Sequence, residues 1–495
     1  MRCVLGLDVS TTATKAVLLD EAGEVVGVES SPHQLSTPRP LWSEQEPAEW
    51  WEAACGAIRK VLSSAGVESS DIAGVGLAGQ MHGLVLLDDK GEIIRPAILW
   101  NDQRAAAQCD EIRNRIGLEE LVRRTGNDAF AGFSLPKLLW VREHEPDAYG
   151  RVRQVLLPKD YVRYRLTGDY ATDRAGAGGT LMLDLAARDW SREILDAVGV
   201  PIEWLPQVHE GTEITGQVSR AGAEATGLRE GTPVVGGGGD QAAQAVGVGA
   251  VTPDVFALTV GTSGVVFAPC DRPVTDPLGR AHAFPHAVPD RWHVMGVMLS
   301  AAGSLQWFHD TLAPDSSFDT LVQEAEGAPV GSDGLTFLPY LSGERTPHAD
   351  PLARGVFFGL VLSHRRGHLT RAIMEGVAFG LKDNLTLLSE AGLPEPREIR
   401  ASGGALKSAL WRTILADVLN VELAIVDATE GAAAGAALLA GVGTGIWPDI
   451  TTACGASVRI RDVVQPEPAH ATVYAREYSR FRELYPAVKA YFPDA

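Results

Sequence analysis

The chain has 495 residues, with 43 lysines and arginines against 63 aspartates and glutamates, a formal charge of −20. That acidity argues against nucleic acid or an anionic membrane as partner, since both need a net basic face; a nucleotide stays admissible, because local amides and one metal ion outweigh distant surface charge. A composition 45% apolar and 21% charged excludes dominant disorder and supplies material for more than one core.

At the N-terminus, MRCVLGLDVS carries Asp8 where an export signal needs an unbroken apolar core, so nothing marks the chain for export. Arg2 to Asp8 and Lys15 to Asp20 read as strands joined by the polar turn Val9 to Thr14, with Glu24 to Val28 as a third strand. A helix is expected around Ala48 to Leu62, where Trp51, Cys55, Ile58 and Leu62 recur at helical spacing behind Pro47. Strands over Ile72 to Leu77 and Gly83 to Asp88 follow, then helices over Asp102 to Ile116 and Pro136 to His144. This alternation predicts an α/β fold. Gly74 to Gly79 matches GxGxxG, but it lies within a strand-like run and does not open a helix, which removes the case for a dinucleotide site. No GxxxxGK[ST] phosphate loop occurs.

A second start stands in mid-chain. Phe256 to Phe267 is again strand, glycine-and-hydroxyl turn, strand, and it echoes Val4 to Val17. Two halves that open alike suggest an internal duplication, with the boundary near Gly247 to Asp254. The small-apolar run Gly431 to Trp447 falls short of a membrane span. A last helix over roughly Ala471 to Ala490 carries Tyr474, Tyr478, Phe481 and Tyr485 on one face, as a packing helix does. Cys3, Cys55, Cys109, Cys270 and Cys454 are odd in number and scattered, which fits a reducing cytoplasm better than a disulfide framework. His282, His286 and His293 have no metal-ligand spacing and read as structural or surface residues.

Four features carry chemistry. The turn Ser10-Thr11-Thr12 offers amides and hydroxyls for phosphate oxygens, or is simply a polar hairpin; Asp8 beside it is a hard ligand suited to Mg²⁺. Gly261-Thr262-Ser263-Gly264 repeats that turn in the second half. Ala401 to Ser408, between a strand and a helix start, is either a plain connection or a place where a planar ring lies on bare backbone. Asp240 follows four glycines, which suggests close approach to the backbone, and it stands at a helix mouth as an N-cap or a catalytic base. Trp100, beside Asn101-Asp-Gln-Arg104, is a core indole or a pocket rim.

Two further stretches are recognisable: Gly132-Phe-Ser-Leu-Pro-Lys-Leu-Leu-Trp-Val-Arg-Glu-His144, and Gly355-Val-Phe-Phe-Gly-Leu360 followed by His368 to Glu375. On these residues the chain resembles the FGGY carbohydrate kinases over nearly its whole length. The resemblance implies an actin-like fold of two ribonuclease-H-type lobes around a cleft, residues 1–246 holding sugar and 247–495 holding ATP. Gly79-Gln-Met-His-Gly83 is similar to the branch acting on D-xylulose, as are Leu99 to Arg104, Leu157 to Tyr161 and Phe337 to His348. Carried over residue by residue, Gln80, Met81, His82, Trp100 and Asn101 meet the sugar and Asp240 is the base. Asp8 helps hold Mg²⁺, while Thr11, Thr12, Lys15, Gly261 and Thr262 contact the phosphates. Gly403, Gly404 and Ser408 border the adenosine, with Gln306 in the same cleft. The implied reaction converts D-xylulose and ATP to D-xylulose 5-phosphate and ADP, a step of xylose catabolism, in a cytoplasmic homodimer. Two alternatives stand beside it: a kinase for another ketopentose or polyol, and a catalytically silent, sugar-responsive regulator.

Overall fold

A computed structural model describes residues 2–427 and 430–492. The chain opens with β1 (Cys3–Val9), β2 (Ala13–Asp20) and β3 (Val25–Pro32), the expected ribbon. Helix α1 (Pro47–Ala65) then lays Trp50, Cys55, Ile58 and Val61 on these strands. Next come β4 (Ile72–Gly79) and α2 (Ser134–His144), followed by β5 (Ile214–Gln217), β6 (Pro233–Val235), β7 (Gly238–Gly239) and α3 (Asp240–Gly247). The strands form one sheet in the order β5-β6-β4-β1-β2-β3, with β7 also beside β4. The GxGxxG run is β4 itself, paired with β1 along its length. The expected helix from Asp102 begins later, at Ala106. The reason is local: Asp102 takes the backbone N–H groups of Arg104 and Ser43 and holds the chain in a turn.

The second half repeats the plan with β8 (Val255–Val260), β9 (Gly264–Cys270), β10 (His282–Pro285), β11 (Trp292–Met298), α4 (Ala302–Leu312) and α5 (Arg366–Glu390). After these come β12 (Glu398–Ser402), α6 (Ala409–Leu419), β13 (Leu423–Val426), α7 (Gly431–Gly443), β14 (Ile460–Val464) and α8 (Pro468–Val488). This sheet runs β10-β11-β9-β8-β12-β13-β14. Each sheet thus has an antiparallel ribbon (β1, β2 and β3; β8, β9, β11 and one more strand, β10), then parallel neighbours (β4 and β6; β12 and β13), then an antiparallel edge (β5; β14). The duplication read from the two hairpins extends to the whole sheet. Helix α8 buries Tyr474, Phe481 and Tyr485 in the second core.

One helix crosses over. Although α7 follows β13 of the second sheet, it packs on β1 and β4 of the first and against α3. Bare backbone makes this approach feasible: a Cβ on Gly435 would lie 1.8 Å from the carbonyl oxygen of Ala243 in α3. Alanine gains only about 1 kcal/mol of helix propensity over glycine. Forcing two backbones apart costs about 3 kcal/mol, at the upper end of overpacking. Gly435→Ala is therefore expected to lower the urea midpoint at unchanged slope, and an unaltered midpoint would refute the close-packing account. The apolar run from Gly431 is this buried helix, and among the described residues no helix is long and apolar enough to cross a membrane.

Candidate active site

Sheet register brings the two acids together. Val9, Gly79 and Gly239 stand side by side where the parallel strands β1, β4 and β7 end, with Asp8 one residue before this crest and Asp240 one after. Such a crest is where open α/β sheets bind ligands. Asp240 is the first residue of α3 and Gly239 is the cap, so the capping alternative falls; the carboxylate accepts the N–H of its neighbour Gln241, at 2.8 Å. Burial, then the charge of Asp8, push the Asp240 pKa up to about 7 against the Gln241 hydrogen bond. Burial also raises Asp8 to about 6, opposed by Lys15. Asp8 Oδ1 is buried without a hydrogen-bond partner among the described residues. An orphaned carboxylate oxygen beside a second carboxylate is a donor set that fits Mg²⁺, which takes one or two carboxylates and completes its shell with water and phosphate.

The glycines before Asp240 have a different cause from the one expected. A Cβ on Gly236 or Gly237 would strike the carbonyls of Glu210 or Leu77, and on Gly239 would lie 2.7 Å from Met81 Cγ. The molecule's own backbone and Met81 make the close approach.

Met81 is buried against Gly239 and Gly179, and His82 follows with φ 69°, a left-handed conformation that L residues resist. The signature helix α2 holds it there: Ser134 Oγ and Lys137 Nζ each donate to the His82 carbonyl at 2.8 Å. His82 Nδ1 lies 2.6 Å from the Gly179 carbonyl, and burial lowers the ring pKa to about 3. A carbonyl only accepts, so Nδ1 carries the proton and Nε2 is left as a bare acceptor for a ligand hydroxyl. Gln80 is committed elsewhere. Its amide donates to Gln45 and the Ser10 carbonyl and accepts from Thr11, which puts it behind the site as a brace. Trp100 is an exposed rim residue whose Nε1 donates to Thr11 Oγ1 at 3.0 Å. Asn101 is exposed and lines a surface depression with Thr37 to Ser43.

The two hairpin turns share one arrangement. The carbonyls of Thr11 and Thr12 accept from Gln45 and His33, while those of Gly261 and Thr262 accept from the first amides of α4 and the residue before it. The amides of Thr11, Thr12, Thr262 and Ser263 have no intramolecular acceptor among the described residues, and Thr12, Thr262 and Ser263 are exposed. Carbonyls turned inward and amides left free make an anion cradle. Lys15 pairs with Asp8 in strand register and forms an ion pair with Glu430 at 3.0 Å. On the second crest, a Cβ on Gly403 would strike the Val260 carbonyl, whereas one on Gly404 would meet open space. Gly403 is thus explained by packing, and Gly404 leaves room for a ring. Ser408 caps α6 by accepting the Trp411 N–H, and Gln306 donates to Asp310 on its own helix. His282, His286 and His293 are buried in one aromatic cluster, their pKa values lowered by burial.

Residues 3–247 match the N-terminal domain, and 256–444 the C-terminal domain, of the FGGY family of carbohydrate kinases. A xylulose kinase of Escherichia coli (strain K12) is 43% identical over 437 residues, 88% of this chain and 89% of its own. Among solved structures, a xyloylose kinase from Brucella ovis gives a TM-score of 0.94 at 40% identity, covering 99% of this chain and 100% of the other. A gluconate kinase from Lactobacillus acidophilus also gives 0.94, at 29% identity and 99% coverage of each chain. One backbone thus serves kinases named for two different sugars, which leaves sugar choice to side chains.

Proposed function

Because the chain belongs to the FGGY family of carbohydrate kinases, we propose that it transfers the γ-phosphoryl group of ATP to the terminal hydroxyl of D-xylulose, releasing ADP and D-xylulose 5-phosphate. The observation that carries the mechanism is the Asp8–Asp240 pair at the crest of the first sheet, with Asp240 tuned to about 7. The 43% identity to a xylulose kinase and the Met81-His82 loop support the choice of sugar.

In this reading residues 1–246 form the sugar lobe and 247–495 the ATP lobe, with α7 crossing between them. Met81 and His82 border the sugar, His82 Nε2 accepting a hydroxyl proton in a hydrogen bond. Asp240 takes the proton of the 5-hydroxyl as its oxygen forms the new bond to γ-phosphorus, and the bond from that phosphorus to the β,γ-bridging oxygen breaks. The free amides of Thr11, Thr12, Thr262 and Ser263 face the charge that spreads over the transferring group, and Lys15 adds a cation. Gly404 gives the adenosine a bare surface. Asp8, with Asp240 near it, holds Mg²⁺, which when bound neutralises phosphate charge. The five cysteines, free and buried, accord with a cytoplasmic protein. The family resemblance extends the reading to a homodimer.

An ADP-release assay with Mg·ATP across D-xylulose, D-ribulose, L-ribulose, xylitol, gluconate and glycerol tests the reading. The expected result is turnover that depends on sugar, with kcat/KM for D-xylulose above the others by about 10²-fold or more, as a site built on hydrogen bonds to one sugar achieves. Preference for another sugar moves the assignment within the family, and ATP use indifferent to sugar refutes it.

A further inference from the structure

Among the described residues Arg345 has no salt-bridge partner, and its guanidinium lies against the Phe130 ring. It is half-buried, yet among the described residues no hydrogen bond or ion pair engages its guanidinium. Its backbone is held instead, the N–H by Glu344 at 2.7 Å and the carbonyl by the Ala349 N–H at 2.6 Å. Glu344 is buried, also accepts the Leu299 N–H, and is pushed by burial up to about 8. A half-buried guanidinium whose donors have no protein acceptor is open to an oxygen-bearing ligand that completes it.

Its position shows which ligand. The neighbouring Thr346 is pinned to β11, its N–H donating to the Val297 carbonyl and its Oγ1 accepting the Val297 N–H. Arg345 is therefore carried by the second lobe. Its guanidinium carbon lies 5.3 Å from the centre of the Phe130 ring, which belongs to the first lobe. Phe130 packs on Phe133 at 5.7 Å, and Phe133 on His82 at 4.6 Å. Beyond His82, Met81 touches Gly239, the residue before Asp240. A chain of contacts thus runs from the base to Arg345, and in the ketopentose reading a sugar whose terminal hydroxyl meets Asp240 extends its other end towards Arg345.

We infer that Arg345 is a specificity-determining residue that reaches from the second lobe to the ketone end of the substrate and donates to its carbonyl oxygen. This rests on the ketopentose reading above. The chemistry suits a ketone. A guanidinium only donates and a carbonyl only accepts, whereas a hydroxyl there also has a proton to place against the Phe130 and Phe133 rings, which provide only weak acceptors. The aromatic surroundings also strengthen the contact by excluding water.

The test compares wild type with Arg345→Met and Arg345→Lys, reading KM for D-xylulose, KM for ATP, kcat, melting temperature, and the Kd of xylitol, the polyol without the carbonyl. Loss of a hydrogen bond to a charged donor raises the D-xylulose KM by about 10- to 100-fold in Arg345→Met. Unchanged ATP KM, kcat within a few-fold of wild type and partial recovery in Arg345→Lys complete the expected pattern. If Arg345→Met does not fold, the lysine variant carries the test, with a D-xylulose KM raised about 3- to 10-fold as one charged donor replaces the fork. An unchanged D-xylulose KM overturns the inference. So does a parallel rise in the ATP KM, or equal loss of affinity for D-xylulose and xylitol. Absence of sugar-dependent turnover in wild type refutes the ketopentose reading itself, a separate result.

Discussion

Asp240→Asn is expected to abolish sugar-dependent turnover while leaving ATP and D-xylulose bound. A general base contributes about 10²–10⁴-fold, so kcat falls by that factor in the ADP-release assay while Kd values for both ligands stay within a few-fold of wild type. The asparagine keeps the shape and the acceptor for the Gln241 N–H, so a fall in kcat reports the lost base and not a collapsed loop. In wild type, kcat/KM rises with pH through a limb near 7, because only the ionised carboxylate accepts a proton. Asp8 is the second cause of the raised value, and Asp8→Asn moves the limb to lower pH in whatever activity that variant retains. Stability gives an independent check on the sign. A carboxyl whose folded pKa lies above its unfolded value of 3.8 stabilises the fold while protonated, and that contribution is lost as pH rises through about 7. Ligand-free Asp240→Asn is therefore expected to melt above wild type at pH 8 and to converge with it below pH 4. A variant that keeps wild-type kcat would remove Asp240 from the role of base.

The features legible from sequence were those written in consecutive residues. The two hairpins, the strand character of Gly74 to Gly79 and the amphipathic α1 and α8 follow from local periodicity and turn chemistry, which act within a few residues. The family signatures made the lobes and the acids recognisable. Register was not legible. Asp8 and Asp240 meet because β1 and β7 both flank β4, and no local pattern specifies pairing across more than two hundred residues. The crossing of α7 escaped for the same reason, although the glycines of its run were visible. Gln80 and Ser408 show what a motif leaves unsaid: both stand in segments that border the site, and only the structure shows that Gln80 also braces a turn and Ser408 also caps a helix. Arg345 stands in the segment Phe337 to His348 that resembles the family, but nothing in Gly-Glu-Arg-Thr-Pro sets it apart from its neighbours until its burial is seen.

Lys137 did leave a signal in the sequence, one lysine inside the apolar run Ser134-Leu-Pro-Lys-Leu-Leu-Trp-Val141, and its substitution tests why the signature helix exists. Its ammonium is fully buried and donates to the carbonyls of His82 at 2.8 Å, Leu99 at 2.9 Å and Ile98 at 3.3 Å. Burial drives its pKa well below that of an ordinary lysine, so the three acceptors are what keep a proton donor there worthwhile. Each carbonyl also has a second donor, Ser134 for His82, Leu84 for Ile98 and Asp102 for Leu99. Lys137→Met, which fills the volume, therefore strands no acceptor and costs only about 2 kcal/mol in urea denaturation. The larger effect falls on His82. A left-handed conformation costs a non-glycine residue about 1–2 kcal/mol, and Lys137 supplies half of the bonds that α2 makes to that carbonyl. Released, the loop relaxes and Met81 and His82 leave the sugar wall. The expected result is a D-xylulose KM raised about 10- to 100-fold, the range that a misplaced binding residue produces, with the ATP KM unchanged because the Lys137 ammonium bonds His82, Ile98 and Leu99 and neither hairpin turn among the described residues. Lys137→Arg does not rescue, since a planar fork cannot meet three converging carbonyls in a site packed for an ammonium. Wild-type KM for D-xylulose together with the stability loss would reduce Lys137 to a packing residue and leave the conformation of His82 to Ser134 and Gly179 alone.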